Sequence, residues 1–298
     1  MKIAWLQDLN PMGATGGAQQ NDRAMIIAGF KRGHDIEIVG PGDSPDVLEW
    51  ADKVVISNAV GFPIGLFQAC PKPYIFFLHD FWPLCRVRLY YPMLTKCKTC
   101  FRKPTWIPVM ERASLIIWLS RLHRHAWLYA CPELRGVPYA LVPSAIDPSE
   151  FHDLGLPRAG VVAVNAGQVY KGRNQVIKWA GAHPGSKLTM VGDCPNPGEF
   201  PPNVGFMGNV HPRSMNTAYN KFETFLHLPE TVMPFDRTVV EALLAGCKIV
   251  GNKNIGALSW EEMQSNKEDS SGLLRDSAIR RWLLKAPGQF WNKVEQAT

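Results

Sequence analysis

The feature that most constrains this fold is an alternation of short apolar runs with helical segments, which occurs in two sets. The first set of predicted strands lies at 2–6, 34–39, 54–57, 74–78 and 115–119. The second set lies at 161–165, 187–191, 204–207, 224–226 and 248–250. Continuous apolar strands that alternate with helices are typical of parallel sheets covered on both faces. The sequence therefore predicts an α/β protein with two Rossmann-like halves.

The domain boundaries follow from this alternation. Helices are predicted at about 19–32, 174–180, 212–220 and 238–245, and a proline-containing seam lies near 141–148. We therefore predict an N-terminal domain at 1–145, a second domain at 146–275, and a C-terminal helix at 276–298 that packs back toward the first domain. Ligands of parallel sheets bind beyond the carboxyl ends of the strands, so both sheets are expected to face a central cleft.

Composition excludes several other classes of protein. With 298 residues, 46% of them hydrophobic, and ten tryptophans, the chain can bury a large core and does not have the composition of a disordered protein. Its apolar runs are much shorter than the roughly 18 residues that a membrane span requires. The apolar stretch at the start is too short for a signal peptide. The sequence predicts a cytoplasmic protein, with peripheral association at the inner membrane face as an option.

The positive charge is concentrated in one segment. Residues 81–140 contain ten Lys or Arg and two acids, whereas the formal net charge of the whole chain is only +6. The segment also holds ten aromatic residues. Trp118 and Trp127 are expected in the core, but Tyr90, Tyr91, Phe101 and Trp106 are predicted in a loop of about 25 residues. Basic and aromatic side chains together suit a nucleic acid or an anionic membrane interface, so an anionic partner is expected.

A glycine-containing loop connects the first predicted strand to the first helix. Gly13, Gly16 and Gly17 permit a tight turn there. Their spacing is not the G-x-G-x-x-G fingerprint, which argues against NAD(P) binding. Glycines in such a turn allow the backbone to approach a bound ligand closely.

Several motifs, in order, resemble those of the family 4 glycosyltransferases, which have the GT-B fold. They are Gly16-Gly17, Leu78-His-Asp-Phe-Trp82, Val142-Pro-Ser-Ala-Ile-Asp-Pro-Ser-Glu-Phe151, Ala166-Gly-Gln-Val-Tyr-Lys-Gly172, Leu188-Thr-Met-Val-Gly-Asp193 and Met233-Pro-Phe-Asp-Arg-Thr-Val-Val-Glu-Ala-Leu-Leu-Ala-Gly-Cys247. The resemblance implies transfer of a sugar from a UDP- or GDP-sugar with retention of configuration and without a catalytic metal.

The donor site is predicted in the second half. A helix that begins near Thr238 offers unpaired N–H groups to a diphosphate, and the Lys171 ammonium could neutralise the β-phosphate. Glu241, one turn into that helix, can accept hydrogen bonds from ribose hydroxyls. The resemblance implies the same roles. The full predicted donor set is Gly16, Gly17, Gln168, Lys171, Arg173, Arg237, Thr238 and Glu241.

His79 and Asp80 are the predicted catalytic residues. They follow an apolar strand, so their side chains should emerge at the carboxyl edge of the first sheet; an ordinary loop histidine is the alternative. The resemblance places a histidine against the donor sugar. In the retaining reaction the leaving phosphate is thought to deprotonate the acceptor, so His79 would orient and stabilise rather than act as a strong base.

Two residues depart from the family pattern. Gln168 stands where the family has an arginine, and Met233 stands where it has its first glutamate. The lost arginine removes a charge-assisted hydrogen bond of about 1.5–3 kcal/mol, which Arg173 or Arg237 could replace. These departures leave open a non-catalytic sugar-nucleotide-binding relative.

The cysteines suggest a structural zinc site. Cys97 and Cys100 have the spacing of a metal knuckle, and Cys85 lies twelve residues before them. Some family members carry a cysteine-rich loop after the same His-Asp-aromatic motif. Cys131, or one of His123 and His125, could supply the fourth ligand. The alternative is an incidental C-x-x-C pair.

The function predicted from the sequence is retaining glycosyl transfer to a hydroxyl of an anionic or membrane-associated acceptor, such as an envelope saccharide or a glycolipid. Transfer to hydroxylated bases of modified DNA is the competing acceptor class. Steep loss of binding with salt would favour nucleic acid.

Overall fold

The computed structural model describes residues 1–13, 16–85, 88–90, 103–264 and 273–298, with side chains included except at 103–104 and 273–276. The chain divides into two compact units. The first unit comprises Met1–Ala145 and Arg281–Thr298, and the second comprises Ile146–Arg280.

The first unit is built on a six-stranded parallel sheet. Its strands are β1 (Lys2–Gln7), β2 (Asp35–Val39), β3 (Lys53–Asn58), β4 (Tyr74–Leu78), β5 (Leu115–Trp118) and β6 (Tyr139–Leu141). Their spatial order is β2-β1-β3-β4-β5-β6. All residues of β4 and β5 are buried, as expected for central strands with helices on both faces.

The described helices that connect these strands are α1 (Gly17–Lys31), α2 (Asp46–Trp50), α3 (Ile64–Gln68), α4 (Lys103–Glu111) and α5 (Arg121–Ala130). α1 ends where Gly33 takes a positive φ of 79°, which ends the helix without a Cβ penalty. The Ser120 side chain caps α5 by accepting a hydrogen bond from the His123 N–H.

The second unit contains a five-stranded parallel sheet in the order β11-β10-β7-β8-β9. The strands are β7 (Val161–Val164), β8 (Leu188–Val191), β9 (Val204–Gly208), β10 (Thr224–His227) and β11 (Lys248–Gly251). The helices are α6 (Arg173–Ala182), α7 (Met215–Tyr219), α8 (Arg237–Leu244) and α9 (Glu261–Gln264).

The C-terminal helix α10 (Leu273–Gln296) contributes its last two thirds to the first unit. Trp291 donates its indole N–H to the carbonyl of Met25 at 2.8 Å. Gly29 allows this contact, because a Cβ there would lie 2.3 Å from the Trp291 ring. Lys53 donates to carbonyls in the last turn of α10, those of Val294 and Glu295 among them. The indole and ammonium bonds anchor the helix to α1 and β3.

The structure confirms the predicted α/β class with two parallel sheets. All ten predicted strands are present within one or two residues of their expected bounds. The strand β6 was not predicted. It has three residues and lies at the sheet edge, where Tyr139 is exposed, so it lacks the continuous apolar run that marked the others.

Two aromatics of the predicted 25-residue loop lie in the core. Trp106 belongs to α4, where it is 7% exposed and packs on Phe67 and Trp82. Tyr90 is 3% exposed and packs against Phe81. Pro108 inside α4 hid the helical pattern in the sequence. The other two, Tyr91 and Phe101, lie outside the described residues, as do residues 86–87 and the rest of 91–102 in the basic segment. Within the described residues, no helix has both the length and the apolar character needed to cross a bilayer.

Candidate functional site

In the second unit, two glycines hold the loops that follow the strands close together. Gly172 has a φ of 100°, and a Cβ there would lie 2.1 Å from the carbonyl oxygen of Leu228, just after β10. A Cβ on Gly167 would lie 2.4 Å from the carbonyl oxygen of Asp193, after β8. Only glycine fits such approaches. The loop after β7, which carries Lys171, is therefore packed directly against its two neighbours.

This packing brings three ionisable groups together at the start of α8. Asp236 precedes the helix in the left-handed conformation, with a φ of 74°. Its carboxylate forms a close ion pair with the imidazole of His227, at the end of β10, and lies 3.9 Å from the Lys171 ammonium. Its other oxygen accepts a hydrogen bond from the Thr238 hydroxyl at 2.8 Å. The end of β10, the loop after β7 and the start of α8 thus meet around the Asp236 carboxylate.

The protonation of Asp236 follows from these contacts. Burial by itself would raise the pKa of this carboxyl, but the opposing effects of His227, Lys171 and the Thr238 hydroxyl hold the pKa well below its ordinary value. The His227 ring is fully buried, and its Nδ1 has no hydrogen-bond partner among the residues that the structure describes. Asp236 is thus a buried carboxylate held between the His227 imidazole and the Lys171 ammonium.

The first turn of α8 offers backbone N–H groups beside these charges. One turn further, Glu241 is 8% exposed and accepts a hydrogen bond from the Tyr219 hydroxyl at 3.4 Å. Its other carboxylate oxygen lies 3.5 Å from the Arg237 guanidinium. Burial raises the pKa of Glu241, and Arg237 and Tyr219 oppose that rise. Lys171, Arg237, Thr238 and Glu241 therefore occupy one end of the second sheet.

Two other predicted donor residues have different surroundings. Arg173 is 8% exposed, and its guanidinium donates to the Glu199 carboxylate at 2.8 Å and to the Asn196 carbonyl at 3.2 Å. Gln168 has an exposed side chain, and its carbonyl accepts from the N–H groups of Lys171 and Arg173. The structure thus shows Gln168 shaping the loop through its backbone and Arg173 bonded to the loop after β8.

Met233 lies in a short bridge with Ile255. Its sulfur accepts a hydrogen bond from the Thr231 hydroxyl at 3.6 Å. Glu230, three residues upstream, accepts instead from the Asn174 amide on α6 at 3.1 Å. In this structure neither residue belongs to the group around Asp236.

In the first unit, His79 follows β4 and both its ring nitrogens face protein groups. Nε2 lies 2.8 Å from the carboxylate of Asp22, and Nδ1 lies 3.5 Å from the amide nitrogen of Asn21. The Asn21 oxygen accepts from the Ala145 N–H at 2.7 Å, which leaves its NH₂ group facing the ring. Nδ1 is then an acceptor, and Nε2 carries the proton that Asp22 accepts.

Asp80 lies in a more open group at the same sheet edge. One of its oxygens accepts from the Trp82 N–H at 2.7 Å, and the other lies 3.9 Å from the Arg88 guanidinium. Arg88 is also 3.6 Å from the carboxylate of Asp8, which follows β1. Burial raises the pKa of Asp80 to about 6, against the opposing effect of Arg88. The Asp80 side chain is 24% exposed, so it remains accessible to solvent.

A pocket of about 270 Å³ lies near this carboxylate group. Its walls come from the ends of β1 and β2 and from the loops after β2 and β3, and they include Leu6, Pro41 and Phe62. Gly61 links the pocket to Asp8, because a Cβ there would lie 2.9 Å from Pro41 and 3.3 Å from the Asp8 carboxylate. Gly16 and Gly17 are exposed at the start of α1, and the residues before them, 14–15, are outside the described part.

The predicted zinc ligands are only partly described. Cys85 is partly buried, and Cys131 is completely buried. His123 lies in the aromatic core, where it accepts a hydrogen bond from the Trp127 indole at 3.1 Å, and burial lowers its pKa to about 3. Cys97 and Cys100 lie outside the described residues. Within the described ranges, no cluster of three or more His, Cys, Asp or Glu could hold a metal ion. The zinc site stays a prediction.

Sequence reasoning missed His227, Asp236 and Tyr219. His227 had a detectable signal, since it ends an apolar strand in the same way that His79 follows one. Asp236 had a weaker one, a polar residue immediately before a predicted helix. Tyr219 gave none, because its contact with Glu241 joins two helices 22 residues apart in the chain.

Comparison with known proteins identifies the fold. No family model matches the sequence, and no curated protein matches it. Among solved structures, Anabaena Alr3699/HepE in complex with UDP is 17% identical, with a TM-score of 0.67 and coverage of 99% of this chain and 100% of that one. AviGT4, a glycosyltransferase involved in avilamycin A biosynthesis, is 15% identical, with a TM-score of 0.59 and coverages of 99% and 97%.

A third match is an α-glucosyltransferase in complex with UDP and a 13-mer DNA containing a HMU base. It is 12% identical, with a TM-score of 0.59, and the alignment covers 96% of this chain and 95% of that one. These likenesses extend over nearly the whole of each chain. The protein therefore has the α/β fold with two parallel sheets that is found in GT-B glycosyltransferases.

Proposed function

We propose that this protein is a glycosyltransferase that transfers a sugar from a UDP- or GDP-sugar, with retention of configuration, to a hydroxyl of an anionic acceptor. The observation that carries the proposal is the position of Lys171 beside the N-terminus of α8, on a GT-B fold. An ammonium next to the N-terminus of a helix, where the helix dipole is positive, is suited to a diphosphate. The matched Alr3699/HepE structures contain UDP or UDP-glucose, which favours a uridine nucleotide as the first to test.

The donor residues are assigned by their chemistry. Lys171 and the first N–H groups of α8 bind the diphosphate, and Thr238 lies at the same turn. Glu241 accepts hydrogen bonds from the ribose hydroxyls, with Arg237 and Tyr219 holding its carboxylate. Arg173, which is bonded to Glu199, contributes to the diphosphate site by fixing the loop after β8.

In the transfer step, the bond between the anomeric carbon and the β-phosphate oxygen breaks, and a bond to the acceptor oxygen forms on the same face. The acceptor proton passes to the leaving diphosphate. His79 suits a stabilising role, because its Nδ1 accepts from Asn21 and its Nε2–H donates to Asp22, so it has no lone pair left for the acceptor proton. We assign Asp80, with its accessible carboxyl, to recognition of the acceptor hydroxyl.

The acceptor is proposed to be anionic because of the basic segment. Envelope saccharides or glycolipids at a membrane face are one class. A hydroxylated DNA base is the second candidate, and the α-glucosyltransferase structure that contains DNA with a HMU base supports including it.

Nucleotide-sugar turnover tests this proposal. UDP and GDP are screened by thermal shift, since a ligand that binds the native state raises the melting temperature. A nucleotide sugar of the nucleotide that binds is then incubated with the protein without acceptor. NMR follows the sugar that slow hydrolysis releases. Retention predicts that the first free sugar has the same anomeric configuration as the donor.

Each outcome bears on the proposal. If the opposite anomer is released first, the retaining assignment is wrong. Binding without any turnover, with or without acceptors, would indicate a non-catalytic relative. Failure of both nucleotides to bind would contradict the donor site itself.

A further inference from the structure

The outer face of α5 and the adjoining edge strand β6 expose two tyrosines among arginines. The exposed fraction is 53% for Tyr129 and 50% for Tyr139. The guanidinium of Arg124 lies over the Tyr139 ring, 3.7 Å from its centroid. We name this region the arginine–tyrosine surface. Its members are Arg121, Arg124, His125, Tyr129, Tyr139 and Arg135, the last on the short 3-10 helix Pro132–Gly136 that packs on α5.

The local structure explains why these side chains point outward. Arg121, His125 and Tyr129 are spaced four residues apart on α5, so they share one helix face, and all three are exposed. The opposite face, which includes Trp127, is buried. Tyr139 begins the edge strand β6 and faces solvent, while its neighbour Ala140 faces the core. The surface is therefore fixed by the regular elements beneath it.

Arginines outnumber acids in the segment that forms this surface. Residues 112–140 contain four arginines and one acid, Glu133. Arg124 and Arg135 form no ion pair with any carboxylate in the part of the chain that the structure describes. Arginines of this kind attract a polyanion.

We propose that the arginine–tyrosine surface binds a single-stranded segment of nucleic acid, which carries or adjoins the acceptor. The proposal rests on the proposed glycosyltransferase function and selects its nucleic-acid candidate. Arginine binds phosphate bidentately, and bases stack on tyrosine rings and on guanidinium planes. The Arg124–Tyr139 stack presents such a plane already ordered.

The same residues argue against a lipid surface at this place. A helix that lies in a bilayer interface buries large apolar side chains such as Leu, Phe or Trp. The large apolar side chains exposed on the arginine–tyrosine surface are the two tyrosines, whose hydroxyls keep them polar at the tip. The surface therefore fits stacked bases between phosphates better than acyl chains.

The test is fluorescence anisotropy of a labelled 16-nucleotide oligo(dT) strand with the full chain at several salt concentrations. The double variant Arg124→Ala/Arg135→Ala removes two phosphate contacts. It should weaken binding and reduce the magnitude of the slope of log K against log salt by about 1.4, since each contact to a single strand contributes about 0.7. Tyr139→Ala should weaken binding by about fivefold to a hundredfold.

The matched control is Lys178→Ala/Lys187→Ala, which removes the same charge from exposed positions in the second unit. It should leave both the affinity and the salt slope unchanged. Equal weakening by the control would overturn the proposal, because the attraction would then be a property of net charge. Binding to phosphatidylserine vesicles with no binding to the strand at 50 mM salt would also overturn it and assign the surface to membranes.

Hydrolysis of the nucleotide sugar without acceptor separates this inference from the proposed function. The arginine and tyrosine variants should retain wild-type hydrolysis, which also shows that they fold. If the wild type hydrolyses the nucleotide sugar but does not bind the oligonucleotide, only the nucleic-acid surface is contradicted. A wild-type protein that binds the strand but never turns over a nucleotide sugar contradicts the proposed function alone.

Discussion

The Lys171 ammonium lies 3.9 Å from the carboxylate of Asp236, which is buried and also paired with His227. Lys171 itself keeps one fifth of its side chain exposed. The Asp236 carboxylate thus orients the Lys171 ammonium and is itself held by His227. A phosphate group that binds Lys171 would therefore contact an ammonium whose position is already fixed.

Removal of this cation should be costly for nucleotide binding. We expect Lys171→Ala to weaken UDP binding by about tenfold to a hundredfold, because a charge-assisted hydrogen bond contributes about 1.5–3 kcal/mol. Isothermal titration calorimetry measures the change. Lys178→Ala, on the exposed face of α6, is the matched control and should bind UDP like the wild type. Unchanged affinity in Lys171→Ala would show that the diphosphate lies elsewhere.

The proposed contact between Glu241 and the ribose can be tested by changing the ribose of the ligand as well as the residue. The wild type should prefer UDP over 2′,3′-dideoxy-UDP, because the carboxylate accepts hydrogen bonds from the ribose hydroxyls. Glu241→Ala should reduce the ratio of the two dissociation constants toward one, mainly by weakening UDP. Glu223→Ala, an exposed carboxylate in the same unit, should keep the preference. If Glu241→Ala weakens both ligands equally, the residue has a structural role only.

Gly172 should tolerate no side chain. In Gly172→Ala the positive φ would cost about 1–2 kcal/mol, and the Cβ would also clash with the Leu228 carbonyl. We expect lower stability in chemical unfolding, together with weaker UDP binding because Lys171 precedes the shifted residue. Gly181→Ala, near the end of α6 with open space around it, should be neutral or stabilise by about 0.4–1 kcal/mol. Equal stability of the two variants would contradict the close approach of the loops.

Asp80 should make stability depend on pH. Its pKa is raised to about 6 in the native state, from an ordinary value of 3.8. The native state therefore holds this proton more tightly than the unfolded chain, and stability falls as the pH rises from about 4 to about 6. The side chain of Asp80→Asn cannot ionise. The free energy of unfolding of this variant, relative to that of the wild type, should therefore rise by about 2–3 kcal/mol between pH 4 and pH 7.5. Urea unfolding at the two pH values measures this difference.

The control for that experiment is Asp35→Asn, an exposed carboxylate at the start of β2. The difference in free energy of unfolding between this variant and the wild type should change much less between the two pH values. If the corresponding difference for Asp80→Asn is the same at both pH values, burial does not hold the Asp80 proton.

Local pattern was enough to predict where several residues of the candidate site stand on the strands and helices. Lys171, Thr238 and Glu241 each stand at a fixed offset from a strand end or a helix start, and such offsets can be read along the chain. The contacts of His79 could not be read in this way. Asn21 and Asp22 lie on α1, 57 or 58 residues away, and only the packing of α1 on the sheet brings them to the imidazole.

The sequence by itself determined the two parallel sheets. Strands covered by helices on both faces must be apolar at consecutive positions, and that pattern is visible along the chain. The tertiary structure decided which polar groups share an environment. His227 and Asp236, or Tyr219 and Glu241, meet through loops and helices whose packing depends on the whole unit. It also decided that Trp106 and Tyr90 are core residues, since burial depends on what packs above a side chain and not on its neighbours in the chain.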